Sequence, residues 1–217
     1  MPSGPKHNTM NPDNSNLYFV TSEEHSNGRS TLEVALEAIE AGIDILQMRE
    51  KGKTRDELKA LGSQLLRVCR EKGVKFIVND DPFLAAELDA DGVHLGQEDA
   101  EKYTIEKTRE ILGGEKMIGL STHSVEQFGD ANKKDIDYIA FGPIFETRTK
   151  DYHIGADNVE EVLGTAEKPV IFIGGIDMKN IDILINKGVR NIAVIRAITQ
   201  AGDIGGKVRE FKERISL

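Results

Sequence analysis

Short apolar and often β-branched runs recur along the chain, each followed by a charged stretch whose apolar positions keep helical spacing. This alternation predicts βα units around a parallel sheet. The predicted strands are 17–20, 43–48, 75–78, 92–95, 117–120, 138–141, 170–173 and 191–195, and the predicted helices are 31–41, 55–72, 82–88, 105–112, 125–133, 158–163, 178–187 and 204–214. Gly42, Gly73, Gly113 and Gly188 follow predicted helix ends, while Ser124 and Asp177 stand at helix starts. The runs Val170-Ile171-Phe172-Ile173 and Ile192-Ala193-Val194-Ile195 are uninterrupted, as expected of strands covered on both faces. Eight such units in a chain of 217 residues predict an α/β fold, a single (β/α)8 TIM barrel over residues 17–217. An open doubly wound sheet is the alternative. It would follow its first strand with a Gly-rich phosphate loop, whereas residues 17–20 lead into Thr21-Ser22-Glu23-Glu24.

Residues 1–16 break the pattern: they are polar, rich in Pro, Asn and Ser, and read as a disordered tail rather than a secretion signal. No apolar run approaches the roughly 20 residues needed to cross a bilayer, so a membrane location is not expected. Acidic side chains outnumber basic ones, 37 to 28, for a net charge of -9. Broad attraction to nucleic acid or anionic lipid is therefore not expected, and any bound anion must be held by a local cluster of cations. A lone cysteine, Cys69, rules out an intrachain disulfide and a Cys-based zinc site and suits a reducing cytoplasm. Nothing in the pattern excludes a homo-oligomer.

In a barrel the residues just after each strand converge on one face, so candidate chemistry is sought there. Arg49 and Lys51 follow the second strand and Lys150 follows the sixth, three cations around one mouth that suit a strongly anionic ligand. Taken alone, the first two could be solvated surface cations balanced by Glu50. Asp80 and Asp99 follow neighbouring strands and could share Mg²⁺, which takes one or two carboxylates plus substrate phosphates and water. They could instead cap the helices that follow. Gly174-Gly175 after the seventh strand offers bare N–H groups to a phosphate, and Thr147 and Thr149 add hydroxyls from a long loop. His94 lies within a strand and reads first as a packed, hydrogen-bonded residue. His123, at a strand end, is the one candidate acid or base among the histidines, and no catalytic triad is persuasive.

The residues at these strand ends resemble the thiamine-phosphate synthase family. The resemblance rests on Leu17-Tyr18-Phe19-Val20-Thr21, Gln47-Met48-Arg49-Glu50-Lys51, Val78-Asn79-Asp80, the run from Ala90 to Asp99, Gly119-Leu120-Ser121-Thr122-His123, Phe141-Gly142-Pro143-Ile144-Phe145, Thr147-Arg148-Thr149-Lys150 and Ile173-Gly174-Gly175-Ile176. It implies condensation of hydroxymethylpyrimidine diphosphate with hydroxyethylthiazole phosphate, releasing pyrophosphate and thiamine phosphate. It further implies that Gln47, Arg49, Lys51, Asn79, Ser121 and Lys150 bind the pyrimidine diphosphate, with Arg49, Lys51, Ser121 and Lys150 catalytic. Mg²⁺ would lie on Asp80 and Asp99, and the thiazole phosphate on Thr147, Thr149 and the Gly174-Gly175 turn. Glu50, Ile195 and Arg196 are placed in the same substrate-binding set. This chain departs from the family's usual pattern at Glu146, often Pro, and at Arg196, often Ser. The chemistry so implied is dissociative and needs charge and proximity more than a strong base. Two rival readings are a related thiazole tautomerase relying on a histidine, for which His123 is available, and a non-catalytic barrel that binds thiamine precursors and regulates a partner. A single-phosphate isomerase would not need Arg49, Lys51, Asp80 and Asp99 together.

Overall fold

The computed structural model describes residues 15–147 and 152–217. Eight strands, β1 (Asn16–Val20), β2 (Ile45–Met48), β3 (Lys75–Asn79), β4 (Gly92–Leu95), β5 (Met117–Thr122), β6 (Tyr138–Phe141), β7 (Val170–Ile173) and β8 (Asn191–Val194), pair in parallel and in chain order into a closed barrel. The helices are α1 (Thr31–Glu40), α2 (Arg55–Lys72), α3 (Pro82–Leu88), α4 (Gln97–Lys102), α5 (Ile105–Leu112), α6 (Val125–Asn132), α7 (Val159–Thr165), α8 (Ile181–Ile185), α9 (Arg196–Thr199) and α10 (Ile204–Ile215).

The strand alternation sorts side chains into two apolar layers. Leu17, Phe19, Leu46, Phe76, Val93, Ile118, Phe141, Phe172 and Val194 point outward against the helices, while Tyr18, Val20, Ile45, Ile77, Met117, Tyr138, Ile171 and Ala193 fill the barrel. Helix ends are set by local chemistry. Thr54 and Glu57 form a reciprocal capping box at the start of α2, and Gly73 ends it with φ +71°. Ser124 accepts from the Gln127 N–H at the start of α6, as its sequence position predicts.

The elements depart from the sequence prediction in instructive places. Strand β1 starts at Asn16, within the predicted tail, because the Asn16 N–H donates to Asn191 Oδ1 (3.1 Å) across the closing seam. Residues 1–14 of the predicted tail lie outside the described residues. Helix α8 is shorter than the predicted 178–187. Asn180 Oδ1 accepts from the Asp177 N–H (2.9 Å) and Asp177 Oδ1 from the Lys179 N–H (2.8 Å), so side chains hold 177–180 in a turn. Helices α4 and α9, of six and four residues, carry too few turns for a periodic signal. No helix among the described residues is long and apolar enough to cross a membrane.

Candidate active site

A cavity of about 960 Å³ opens at the C-terminal ends of the strands. Gln47, Arg49, Lys51, Asn79, Asp80, Asp99, Ser121, Thr147, Gly174, Gly175, Ile195 and Arg196 all line it. Thr149 and Lys150 lie outside the described residues. Glu50 does not line the cavity. Successive residues after a strand point apart, and Glu50 turns to the β1–α1 segment. There its Oε2 accepts from the Glu23 N–H (2.9 Å) and its Oε1 from the Thr31 hydroxyl (2.8 Å). It does not neutralise Arg49 or Lys51 either, because neither forms an ion pair with a carboxylate among the described residues. Thr21 Oγ1 accepts from the Arg49 N–H at 3.0 Å and anchors the backbone from which both cations project.

Asp80 adopts φ +61°, a left-handed backbone unusual for a side-chain-bearing residue. Its N–H donates to the His94 carbonyl (2.8 Å), and its Oδ1 accepts from the Gly96 N–H (3.1 Å). Asn79 Nδ2 donates to its other oxygen. The two carboxylates flank Gly96: a Cβ built there would lie 3.3 Å from Asp99 Oδ2 and 3.9 Å from Asp80 Oδ1. The capping alternative fails for both. Asp81 caps α3, accepting from the Leu84 N–H (2.8 Å), and Gly96 occupies the N-cap of α4. Burial pushes the Asp80 carboxyl above the usual carboxylate range, the Gly96 N–H opposes this, and the neighbouring Asp99 charge adds to it. Two carboxylates held together at such a cost fit a divalent oxygen-ligated cation, which relieves their repulsion. With these two carboxylates as ligands, water and ligand oxygens would complete its shell, as Mg²⁺ prefers.

Across the cavity, Gly174 and Gly175 take φ +102° and +65°. A Cβ at Gly174 would sit 2.4 Å from the Pro143 Cα, and one at Gly175 2.4 Å from the Glu146 carbonyl oxygen, so no side chain fits at either position. Arg196 Nη2 donates to Thr147 Oγ1 at 2.9 Å, joining the β6 and β8 ends. The Arg196 guanidinium also has no carboxylate partner among the described residues, which leaves donors for an anion.

The cavity floor was less legible in sequence. Tyr18 and His94 line it, and His94 is buried with its Nε2 2.9 Å from Ser121 Oγ. Reading His94 as packed and hydrogen-bonded is correct, yet that role places it beneath the ligand space. Its inward direction could have been read from the period-2 alternation that also turns Gln47 and Asn79 inward. Burial, with His123 adding, lowers the His94 pKa to about 4 and keeps the ring neutral. His123 Nδ1 lies 2.6 Å from the Gly142 carbonyl oxygen, and its ring meets Tyr152 edge-on with centroids 6.2 Å apart.

Fold and site together define a (β/α)8 barrel whose mouth combines paired carboxylates, cations with no carboxylate partner among the described residues, and a glycine turn, a set suited to phosphorylated small molecules. Residues 17–198 match the thiamine monophosphate synthase family model, and the chain belongs to that family of thiamine-biosynthesis enzymes. It is 41% identical over 203 residues to the thiamine-phosphate synthase of Pelotomaculum thermopropionicum, covering 92% of each chain. Identity to that of Persephonella marina is 38% over 198 residues, 90% of this chain and 93% of the relative. The solved thiamine phosphate pyrophosphorylase of Pyrococcus furiosus superposes with a TM-score of 0.85 at 32% identity, covering 94% of this chain and 97% of that one.

Proposed function

We propose that the enzyme joins hydroxymethylpyrimidine diphosphate to hydroxyethylthiazole phosphate, giving thiamine phosphate and pyrophosphate. The observation carrying this reading is that Asp80 and Asp99 share one cavity with Arg49 and Lys51, while Gly174, Gly175, Thr147 and Arg196 line it as well. That is one polar set suited to a metal diphosphate and a second suited to a monophosphate.

In the proposed reaction the bond between the pyrimidine methylene carbon and the diphosphate oxygen breaks, and its electron pair leaves with pyrophosphate. The aminopyrimidine ring delocalises the positive charge on the methylene carbon, and the thiazole nitrogen lone pair forms the new C–N bond. Mg²⁺, held by Asp80 and Asp99, would supply charge neutralisation at the diphosphate. Arg49 and Lys51 add fixed positive charge to the same leaving group, with Lys150 assigned there by the sequence resemblance, and Ser121 contributes a hydroxyl. Such preorganised charge is worth most in a water-poor cavity. Nothing in this sequence of bonds requires a strong protein base.

The test is pyrophosphate release by the purified enzyme given both substrates and Mg²⁺. Asp80→Ala should lower turnover by at least roughly 10²-fold with an unchanged circular-dichroism spectrum. Full activity in the variant would overturn the metal assignment, and failure of the unaltered enzyme to release pyrophosphate would overturn the reaction.

A further inference from the structure

Beneath the cavity runs an unbroken line of polar groups from Gln47 to Ser121, whose buried inner members, Tyr18, Tyr138 and His94, the reaction above does not use directly. Gln47 Nε2 lies 2.7 Å from Tyr18 Oη, and Tyr18 Oη lies 2.9 Å from Tyr138 Oη. Tyr138 Oη then lies 3.1 Å from His94 Nδ1, and His94 Nε2 lies 2.9 Å from Ser121 Oγ. Tyr138 can reach His94 across β5 only because Gly119, paired in register with both, has no side chain. A Cβ at Gly119 would fall 2.0 Å from Tyr138 Cζ. The Tyr138 and His94 rings stack, with centroids 5.5 Å apart and planes 24° from parallel.

Counting hydrogens gives this line a direction. The Gln47 amide nitrogen can only donate, so Tyr18 Oη accepts from it and must send its single hydrogen to Tyr138. Tyr138 in turn sends its hydrogen to His94 Nδ1, which must be bare. A neutral imidazole then carries its proton on Nε2 and donates to Ser121 Oγ. Each of the four contacts then has one donor and one acceptor, and the two ends of the line, Gln47 and Ser121, face the cavity. Gln47 keeps its carbonyl oxygen, an acceptor, beside its second amide hydrogen, and Ser121 keeps its hydroxyl hydrogen, a donor.

Building on the proposed reaction, we infer that Tyr138 is a positioning residue: it couples the two ends, so that Gln47 meets the pyrimidine as an acceptor while Ser121 meets the diphosphate as a donor. An acceptor at Gln47 suits an exocyclic amino group, and a donor at Ser121 suits an anionic oxygen. Reversing the line would present the wrong group at both places simultaneously. It would also require the Gln47 amide to turn its oxygen toward Tyr18.

Nitrogen-15 spectra of histidine-labelled enzyme, without substrates at neutral pH, test the direction, with assignment by a His94→Gln variant. The proton should reside on His94 Nε2, with Nδ1 giving the resonance of a bare, hydrogen-bonded nitrogen. Tyr18→Phe leaves Tyr138 free to donate or accept, so part of the proton population should move to Nδ1. In kinetics, Tyr138→Phe should lower kcat about 10-fold while KM for both substrates changes little, and it should cost nothing further in a Ser121→Ala background. A proton on Nδ1 in the unaltered enzyme, a His94 spectrum unmoved by Tyr18→Phe, or additive losses in the double variant would overturn the inference. Full turnover by Ser121→Ala would instead overturn the site assignment on which it rests, and the resting-state spectra separate the two failures.

Discussion

At the residue scale, the environment of each polar group decides what it can do. Arg196 is a guanidinium at the cavity wall whose one side-chain hydrogen bond among the described residues is to the Thr147 hydroxyl. Arg196→Ser should raise KM for the thiazole phosphate by roughly 10- to 100-fold, the worth of hydrogen bonds to a charged group. Unchanged steady-state kinetics would mean that Arg196 does not touch the ligand. Cys69 illustrates burial alone: loss of solvation, with the Asp91 charge adding, raises its thiol from 9.0 to about 12. The unfolded chain therefore releases this proton first. The resulting stability is intact below pH 9 and is lost as pH rises through 9 toward 12, at about 1.4 kcal/mol per unit. Urea unfolding of Cys69→Ala between pH 8 and pH 10 should give a shallower decline than the unaltered enzyme, and equal slopes would refute the shift.

At the element scale, sequence signals succeeded where helices were amphipathic and capped, and faltered at α4, α8 and α9. Helix α2 was legible to the residue because an amphipathic run is bounded by Thr54 and Gly73. Replacing Gly73 by Ala forces a Cβ into φ +71° and should cost about 1 kcal/mol in urea midpoint measurements. Gly119→Ala should cost more, because its Cβ would enter the buried Tyr138 ring rather than solvent. A loss at Gly119 no larger than that at Gly73 would mean the ring has room to move. Helices α4 and α9 were missed because neither offers an amphipathic period, and α8 was overextended because Asp177 and Asn180 spend their side chains on a turn.

At the scale of the whole molecule, closure of the barrel makes distant segments interdependent. Helix α10 packs on β1 and α1, and its Ile204, Val208, Phe211 and Ile215 are fully buried. At about 1.5–3 kcal/mol per side chain, their burial is comparable with the entire stability of an ordinary domain. Ending the chain after Ala201 should therefore abolish the cooperative calorimetric transition. A truncated protein with a sharp transition would show that the barrel closes without this helix. The polar seam beside it works the same way: Asp44 accepts from the Leu17 N–H (2.7 Å) and pairs with Lys212 (2.6 Å), tying β1, β2 and α10 together.

The sequence by itself determined the repeating βα order and the kinds of side chain placed at the strand ends, because these follow from short-range periodicity and steric preference. Only the tertiary structure decided which of those residues meet. It closed β1 onto β8 through Asn16 and Asn191, set Asp80 and Asp99 on either side of Gly96, and turned Glu50 away from Arg49 and Lys51 toward Thr31. It also laid Tyr138 over Gly119 to reach His94. Each of these encounters depends on strand register and on the room a neighbour leaves. Both are properties of residues far apart in the chain, which local pattern does not encode.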